Sequence, residues 1–347
     1  MSEKPLLIMD MDGVIVDVSA SYREVVRLTV YTYLRQFIGA ENISSGAVTL
    51  EDVSAVKKSG GLNNDWELTY AILNTILKIY FDGENAGALE SVAELKGITD
   101  DSHLLRTGKL ILETCNTTSL GKVGKTPLAE VYSTHERKLA NYSPFLMCQG
   151  DVGGGNLVKR IFQELYLGGS LFRDTYRDAP LFYDGGGYIE RERLIPAKKQ
   201  LQELHESCAL AIATGRPHSE AEYALVNFGI DELFRAMITE DDVAGAEALS
   251  REPLRKPYPF MIDLCIERCG WGSSGDIFYL GDMPDDMTAA SRAGVVPLGF
   301  IHDGLEMDED VREEHRSLLL QKGARKVFGN YREIIAYLKE FTEKKSM

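Results

Sequence analysis

Positive charge is in deficit in this 347-residue sequence: 38 lysines and arginines face 53 aspartates and glutamates, for a formal net charge of −15. A surface of that sign repels phosphate backbones and anionic lipid, so neither nucleic acid nor membrane is expected as a partner. Cysteine is sparse as well. The five present, Cys115, Cys148, Cys208, Cys265 and Cys269, form no CxxC pair and are odd in number, which argues against a disulfide framework. Cys265 and Cys269 stand four apart in an apolar helical stretch and would hold zinc only with ligands from elsewhere, so they read as core thiols. Long apolar runs are also missing. None approaches the roughly 18 residues of a membrane-spanning helix, and the N-terminal apolar run is too short for a secretion signal. A cytoplasmic location is the resulting expectation.

What is present is the make-up of a folded protein, with a length that predicts two domains. Leu6-Leu7-Ile8-Met9 is a short apolar run ending in carboxylates and Gly13, the pattern of a strand buried on both faces of a parallel sheet. Ligands bind beyond the carboxyl ends of such strands, which is where Asp10 falls. From Tyr22 the apolar spacing of three and four predicts an amphipathic helix, and another is expected from Trp66 and a third over Leu157 to Leu167. No strand-helix alternation is visible between 20 and 190. It returns at Ile195, with apolar runs at 209–213, 236–238, 277–280, 295–301 and 326–328 separated by helical patterns. A single strand needs partners, so residues 1–17 are assigned with 190–347 to one discontinuous three-layer α/β domain with a mostly parallel sheet. Residues 18–189 are then an inserted, mainly α-helical domain.

Four charged elements fall at the predicted strand ends: Asp10-Met11-Asp12-Gly13 with Asp17, Thr214-Gly215-Arg216, Lys256-Pro257, and Gly281-Asp282 with Asp285 and Asp286. Singly, each is an ordinary turn, loop or helix cap. In this order they resemble the four motifs of the haloacid dehalogenase superfamily: DxDGxxxD at 10–17, an apolar strand with Thr-Gly at 212–215, Lys256 in KPxP, and GDxxxD at 281–286. The one departure, Val14 where many members carry Thr, falls at a position that acts through its backbone.

The resemblance implies a Rossmann-like core with a helical cap inserted after the first motif, as in subfamily I, and a Mg2+-dependent phosphatase acting on a small phosphorylated metabolite. It implies Asp10 as nucleophile, Asp12 as acid/base, and Thr214 and Lys256 holding the phosphoryl group. The metal ligands it implies are Asp10, the Asp12 carbonyl, Asp282 and Asp286, with Asp285 competing for the last place. An acid at position 12 favours phosphoryl transfer over dehalogenation. Gly61, Asn63, Asn64 and Asp65 resemble a substrate-recognition loop of the cap, although the same stretch reads equally as a helix entry. Arg216 is read either as a substrate contact or as an exposed structural arginine. Gln149 to Asn156 and Gly185-Gly186-Gly187 read as a plain loop and a turn or hinge. A sugar phosphomutase is the alternative within enzymes, and a non-catalytic binding protein on the same scaffold is the alternative outside them.

Overall fold

A computed structural model describes residues 4–37, 156–272, 276–305 and 307–346 without a break, together with short stretches between 45 and 73 and residues 152–154. The chain divides into two compact units, Ser19–Glu192 and a discontinuous one made of Met1–Val18 and Arg193–Met347.

In the first of these, helix α1 (Tyr22–Thr32) buries Tyr22, Val25, Val26, Thr29 and Val30, the stripe that a period of 3.6 places on one side. Helix α2 (Leu157–Tyr176) starts at Asn156, whose side chain accepts the Lys159 amide at 2.9 Å, and stacks Tyr166 on Tyr22 at 4.3 Å between centroids. It runs nine residues past the Leu167 expected from the pattern, crossing a break at Gly168 (φ 72°). The reason is backbone packing. A Cβ on Gly168 would lie 2.3 Å from the Gly187 nitrogen, and the Gly169 amide donates to the Gly185 carbonyl at 2.9 Å. The three glycines at 185–187 are thus the seat on which the helix bends. Glu164, fully buried, accepts from the amides of Leu181, Phe182 and Tyr183 and from Arg160, so its charge is met on every side.

The other unit is a three-layer α/β fold. Strand β1 (Leu6–Met9) lies between β4 (Ala209–Ala213) and β6 (Ile277–Gly281), and the sheet extends to β5 (Phe234–Ile238) on one side and to β7 (Val296–Phe300) and β8 (Lys326–Phe328) on the other. Every neighbouring pair is parallel. All four residues of β1 are fully buried, and alternation divides them between the two faces. Leu7 and Met9 join Leu210, Ile212, Phe278 and Leu280 against α3 (Lys198–Ser207), α4 (His218–Phe228) and α9 (Tyr331–Ser346). Leu6 and Ile8 join Ala211 and Tyr279 against α5 (Glu240–Ser250), α6 (Phe260–Arg268) and α7 (Pro284–Arg292). Helix α8 (Glu309–Gln321) covers the β7–β8 side through Leu319. Where the chain leaves and re-enters this unit, β2 (Val16–Asp17) pairs antiparallel with β3 (Arg193–Leu194), a ladder too short to read from sequence. No described helix is long and apolar enough to cross a membrane.

Candidate active site

Three adjacent strands deliver the charged motifs to one edge of the sheet. β1 ends in Asp10, β4 in Thr214 and β6 in Gly281-Asp282, and the order β4-β1-β6 makes these ends neighbours. Connections leave to opposite sides at this point, the place where an open parallel sheet opens a crevice. The turn after β1 is closed by its own backbone: the amides of Ile15 and Val16 both donate to the Met11 carbonyl at 2.8 Å. Gly13 sits there with φ +75°, and a Cβ on it would lie 2.3 Å from Asp282 Oδ2. Only glycine lets this turn approach that carboxylate.

Lys256 comes from the loop between α5 and α6. Its Nζ donates to Asp10 Oδ1 at 2.9 Å and to the Ala213 carbonyl at 3.1 Å, and pairs with Asp286 Oδ1 at 2.9 Å. The loop is held from behind by Arg255, which pairs with Glu240 and Glu247 of α5, while Glu247 also accepts the Leu254 amide at 2.7 Å. Burial would lower the pKa of the Lys256 ammonium, but Asp10 and Asp286 outweigh it and hold it well above the usual lysine value. For Asp10 the balance falls the other way. Its own burial, opposed by Lys256 and reinforced by Asp286 and Asp12, raises it from 3.8 to about 7.

Asp286 is almost wholly buried in the first turn of α7, where its Oδ2 accepts the Met283 amide at 2.9 Å and fixes the helix start. Its Oδ1 accepts the Tyr279 hydroxyl at 3.1 Å in addition to Lys256. Tyr279 is a residue that the sequence reading passed over as part of an apolar strand. A buried tyrosine needs a partner for its hydroxyl, and its place three residues before Asp282 was the available signal. Oxygens of Asp10, Asp282 and Asp286 lie within 4.8 Å of one another, and Asp285 is not part of that cluster. Burial, with Asp286 adding to it, raises the Asp285 carboxyl. His315 of α8, also unforeseen, reaches the Asp282 carbonyl through Nε2 at 2.8 Å.

Asp12 lies on the other side of the turn. Its Oδ1 accepts both Nε (2.7 Å) and Nη2 (2.5 Å) of Arg216. Arg216 is 1% exposed, so the exposed arginine entertained above is corrected: its guanidinium is drawn inward by a carboxylate 204 residues away in sequence. Thr214 is buried beside it, its Oγ1 accepting the Arg216 amide at 3.2 Å. The structure therefore gathers Asp10, Asp12, Thr214, Arg216, Lys256, Asp282 and Asp286. Gly61, Asn63 and Asn64 lie outside the described residues. Asp65 is buried in helical backbone, its carbonyl accepting the Thr69 hydroxyl at 2.7 Å.

Residues 194–299, which hold three of these four strand-end elements, match the family model for haloacid dehalogenase-like hydrolases. Over that stretch the α/β unit is similar to the haloacid dehalogenase-like hydrolases. Over 300 residues the chain is 24% identical to an imidazoleglycerol-phosphate dehydratase of Phytophthora nicotianae, covering 85% of this chain and 43% of that protein. Over 136 residues it is 27% identical to a phosphoglycolate phosphatase of Haemophilus influenzae, covering 39% of this chain and 56% of that protein. The chain thus spans about half the length of the curated relatives it matches. Among solved structures it is similar to a target of the Northeast Structural Genomics Consortium, with a TM-score of 0.67 and 22% identity over 98% of this chain and 100% of that one. It is also similar to phosphatase Tt82 from Thermococcus thioreducens, with a TM-score of 0.51 and 18% identity over 89% and 98%. At these identities the likeness is one of fold.

Proposed function

We propose that this protein hydrolyses a small phosphomonoester through a covalent phosphoryl-enzyme on Asp10. The observation that carries the reading is the meeting of three separate chain segments in one cluster: a carboxylate at the end of β1, two further carboxylates within 4.8 Å of it, and a largely buried lysine bonded to two of the three. Such a cluster is unfavourable unless positive charge completes it. The donor set is all carboxylate, with no histidine or thiolate, which fits a hard cation such as Mg2+. Asp10, the Asp12 carbonyl, Asp282 and Asp286 would hold it. Oδ1 of Asp286 is committed to Lys256 and Tyr279, so its Oδ2 is the oxygen with a lone pair to spare. The bound cation would reduce the repulsion between Asp10 and an anionic phosphoryl group.

The chain's own residues do the rest. An Asp10 oxygen forms a bond to phosphorus as the bond from phosphorus to the leaving oxygen breaks, and Asp12 donates a proton to that oxygen. Water then attacks the phosphorus of the aspartyl-phosphate. Asp12 takes the water proton, and Asp10 is released as a carboxylate with inorganic phosphate. Thr214 and Lys256 would supply donors to the transferring oxygens. Phosphate release from sugar phosphates, phosphoglycolate and nucleotides, measured with MgCl2 and again with chelator, tests the reading. Release from at least one class that stops on chelation is the expected result; no release from any class would overturn it.

A further inference from the structure

We infer that Arg216 is a positioning residue for Asp12, one that decides which carboxylate oxygen carries the proton exchanged with substrate and water. The inference rests on the phosphatase reading above and extends it to a residue which that reading does not need. A guanidinium with 1% exposure is costly to bury unless its charge and donors are met, and here Nε and Nη2 both converge on Asp12 Oδ1. The arginine is itself anchored at both ends of its backbone: its amide donates to Thr214 Oγ1 at 3.2 Å, and its carbonyl accepts the Glu240 amide at 2.9 Å. Asp12 is the more exposed partner, with its side chain 32% exposed. Among the described residues no group donates to its second oxygen, Oδ2.

The chemistry of the pair follows from the donor inventory. An arginine has only donors and keeps its charge throughout, so Oδ1 must remain an acceptor whether Asp12 is protonated or not. The exchangeable proton is therefore confined to Oδ2. In the first step it passes from Oδ2 to the leaving oxygen as the phosphorus–oxygen bond breaks, and in the second Oδ2 takes a proton from the attacking water. Arg216 touches neither reactant, and fixes the side-chain torsions of Asp12 in both steps.

The test is kcat/KM across phosphomonoesters of graded leaving-group basicity, because a good leaving group departs without a proton. Arg216→Met should lose on the order of 10^2-fold or more with alkyl phosphates, the range that general-acid catalysis supplies, and only a few-fold with 2,4-dinitrophenyl phosphate. In an Asp12→Asn background the same substitution should add little, since the two residues act as one unit. Arg216→Lys, which keeps the charge but not the two-nitrogen fork, should recover part of the loss, and it carries the same comparison if Arg216→Met fails to fold. A wild-type enzyme active on the whole series, with variants losing a uniform factor across it, would overturn the positioning role and leave the phosphatase reading standing. A wild-type protein inactive on every ester would remove both.

Discussion

Asp10 and Asp12 stand two residues apart on one turn, and each has Oδ1 held by a cationic side chain. The two sides of the turn nevertheless differ. Lys256 is shared, bonded to Asp10, to Asp286 and to the Ala213 carbonyl, in a pocket where burial and neighbouring carboxylates raise Asp10 to about 7. Arg216 directs two N–H groups onto a single oxygen of a partly exposed carboxylate. A lysine is a point charge on a flexible stem, suited to balancing several acids at once. An arginine is a rigid fork, suited to fixing the direction of one. On the proposed reading the same residue type, placed in these two surroundings, would serve two tasks: Asp10 to bond to phosphorus beside a cation, Asp12 to pass a proton.

The severest way to break this comparison is at Asp10. Asp10→Asn keeps the shape and an oxygen for Lys256 but removes the nucleophile, so turnover should fall by on the order of 10^4-fold or more with the fold retained. Phosphate-release kinetics alongside a melting curve check it, and a folded Asn variant with substantial activity would contradict the covalent route. Lys256→Met comes next. In the metal-free protein it leaves Asp10 and Asp286 buried without their shared cation, which should cost about 3–5 kcal/mol of stability. Turnover should fall roughly 10^2- to 10^3-fold. Denaturant titration with and without MgCl2 sharpens the point, because an added divalent cation should restore part of the lost stability.

The sheet and the meeting of its charged strand ends were legible because the physics acts locally there. β1 and β4 are apolar on both faces and end in charged residues, and a parallel sheet must bring such ends together. Helices α5 and α8 went unseen for the converse reason: each buries a single side chain, Val243 and Leu319, so neither has an apolar stripe to read. The pairing of Arg216 with Asp12 spans 204 residues, and no local pattern distinguishes it from a solvated Gly-Arg loop. The Arg255 clip behind Lys256 depends likewise on acids of α5, a helix without a signal of its own. In the other unit, Gly168 and Gly169 looked like the end of a helix because their partner, the 185–187 backbone, is recognisable only in three dimensions.

The comparison also predicts a pH dependence on the Asp10 side. Burial raises its carboxyl to about 7 in the metal-free folded chain, against an ordinary aspartate value of 3.8, so between these pH values the folded chain holds a proton that the unfolded chain has lost. That contribution to stability is full below the unfolded pKa and is lost as pH rises through the folded one. A divalent cation needs the ionised form, so Mg2+ affinity should weaken about tenfold for each pH unit below 7. Melting temperatures with and without MgCl2, between about pH 5.5 and about pH 8, should show a Mg2+-induced rise that grows with pH and levels off above about 7. A rise independent of pH would mean that Asp10 does not exchange its proton for the cation.

The smallest expected effect concerns Tyr279, which lies beneath the Asp10 side. Its hydroxyl donates to Asp286 Oδ1, and the Lys256 ammonium lies 5.4 Å from its ring centroid. Burial, with Asp286 adding to it, holds the phenol well above the usual tyrosine pKa, so it stays a neutral donor through the working pH range. Tyr279→Phe removes that one donor and leaves the ring. Asp286 Oδ1 would still accept from Lys256 and Oδ2 from the Met283 amide, so the loss should be that of a single hydrogen bond to a charged group, about 1.5–3 kcal/mol at most. Part of it should appear as weaker Mg2+ binding, by roughly 3- to 10-fold in calorimetry, because Asp286 is no longer held from below. On the Asp12 side nothing should change: the leaving-group dependence of kcat/KM in Tyr279→Phe should match that of the wild type. If Tyr279→Phe altered that dependence as Arg216→Met is expected to, the two sides of the turn would be coupled through the sheet, and the division of labour between the lysine and the arginine would fail.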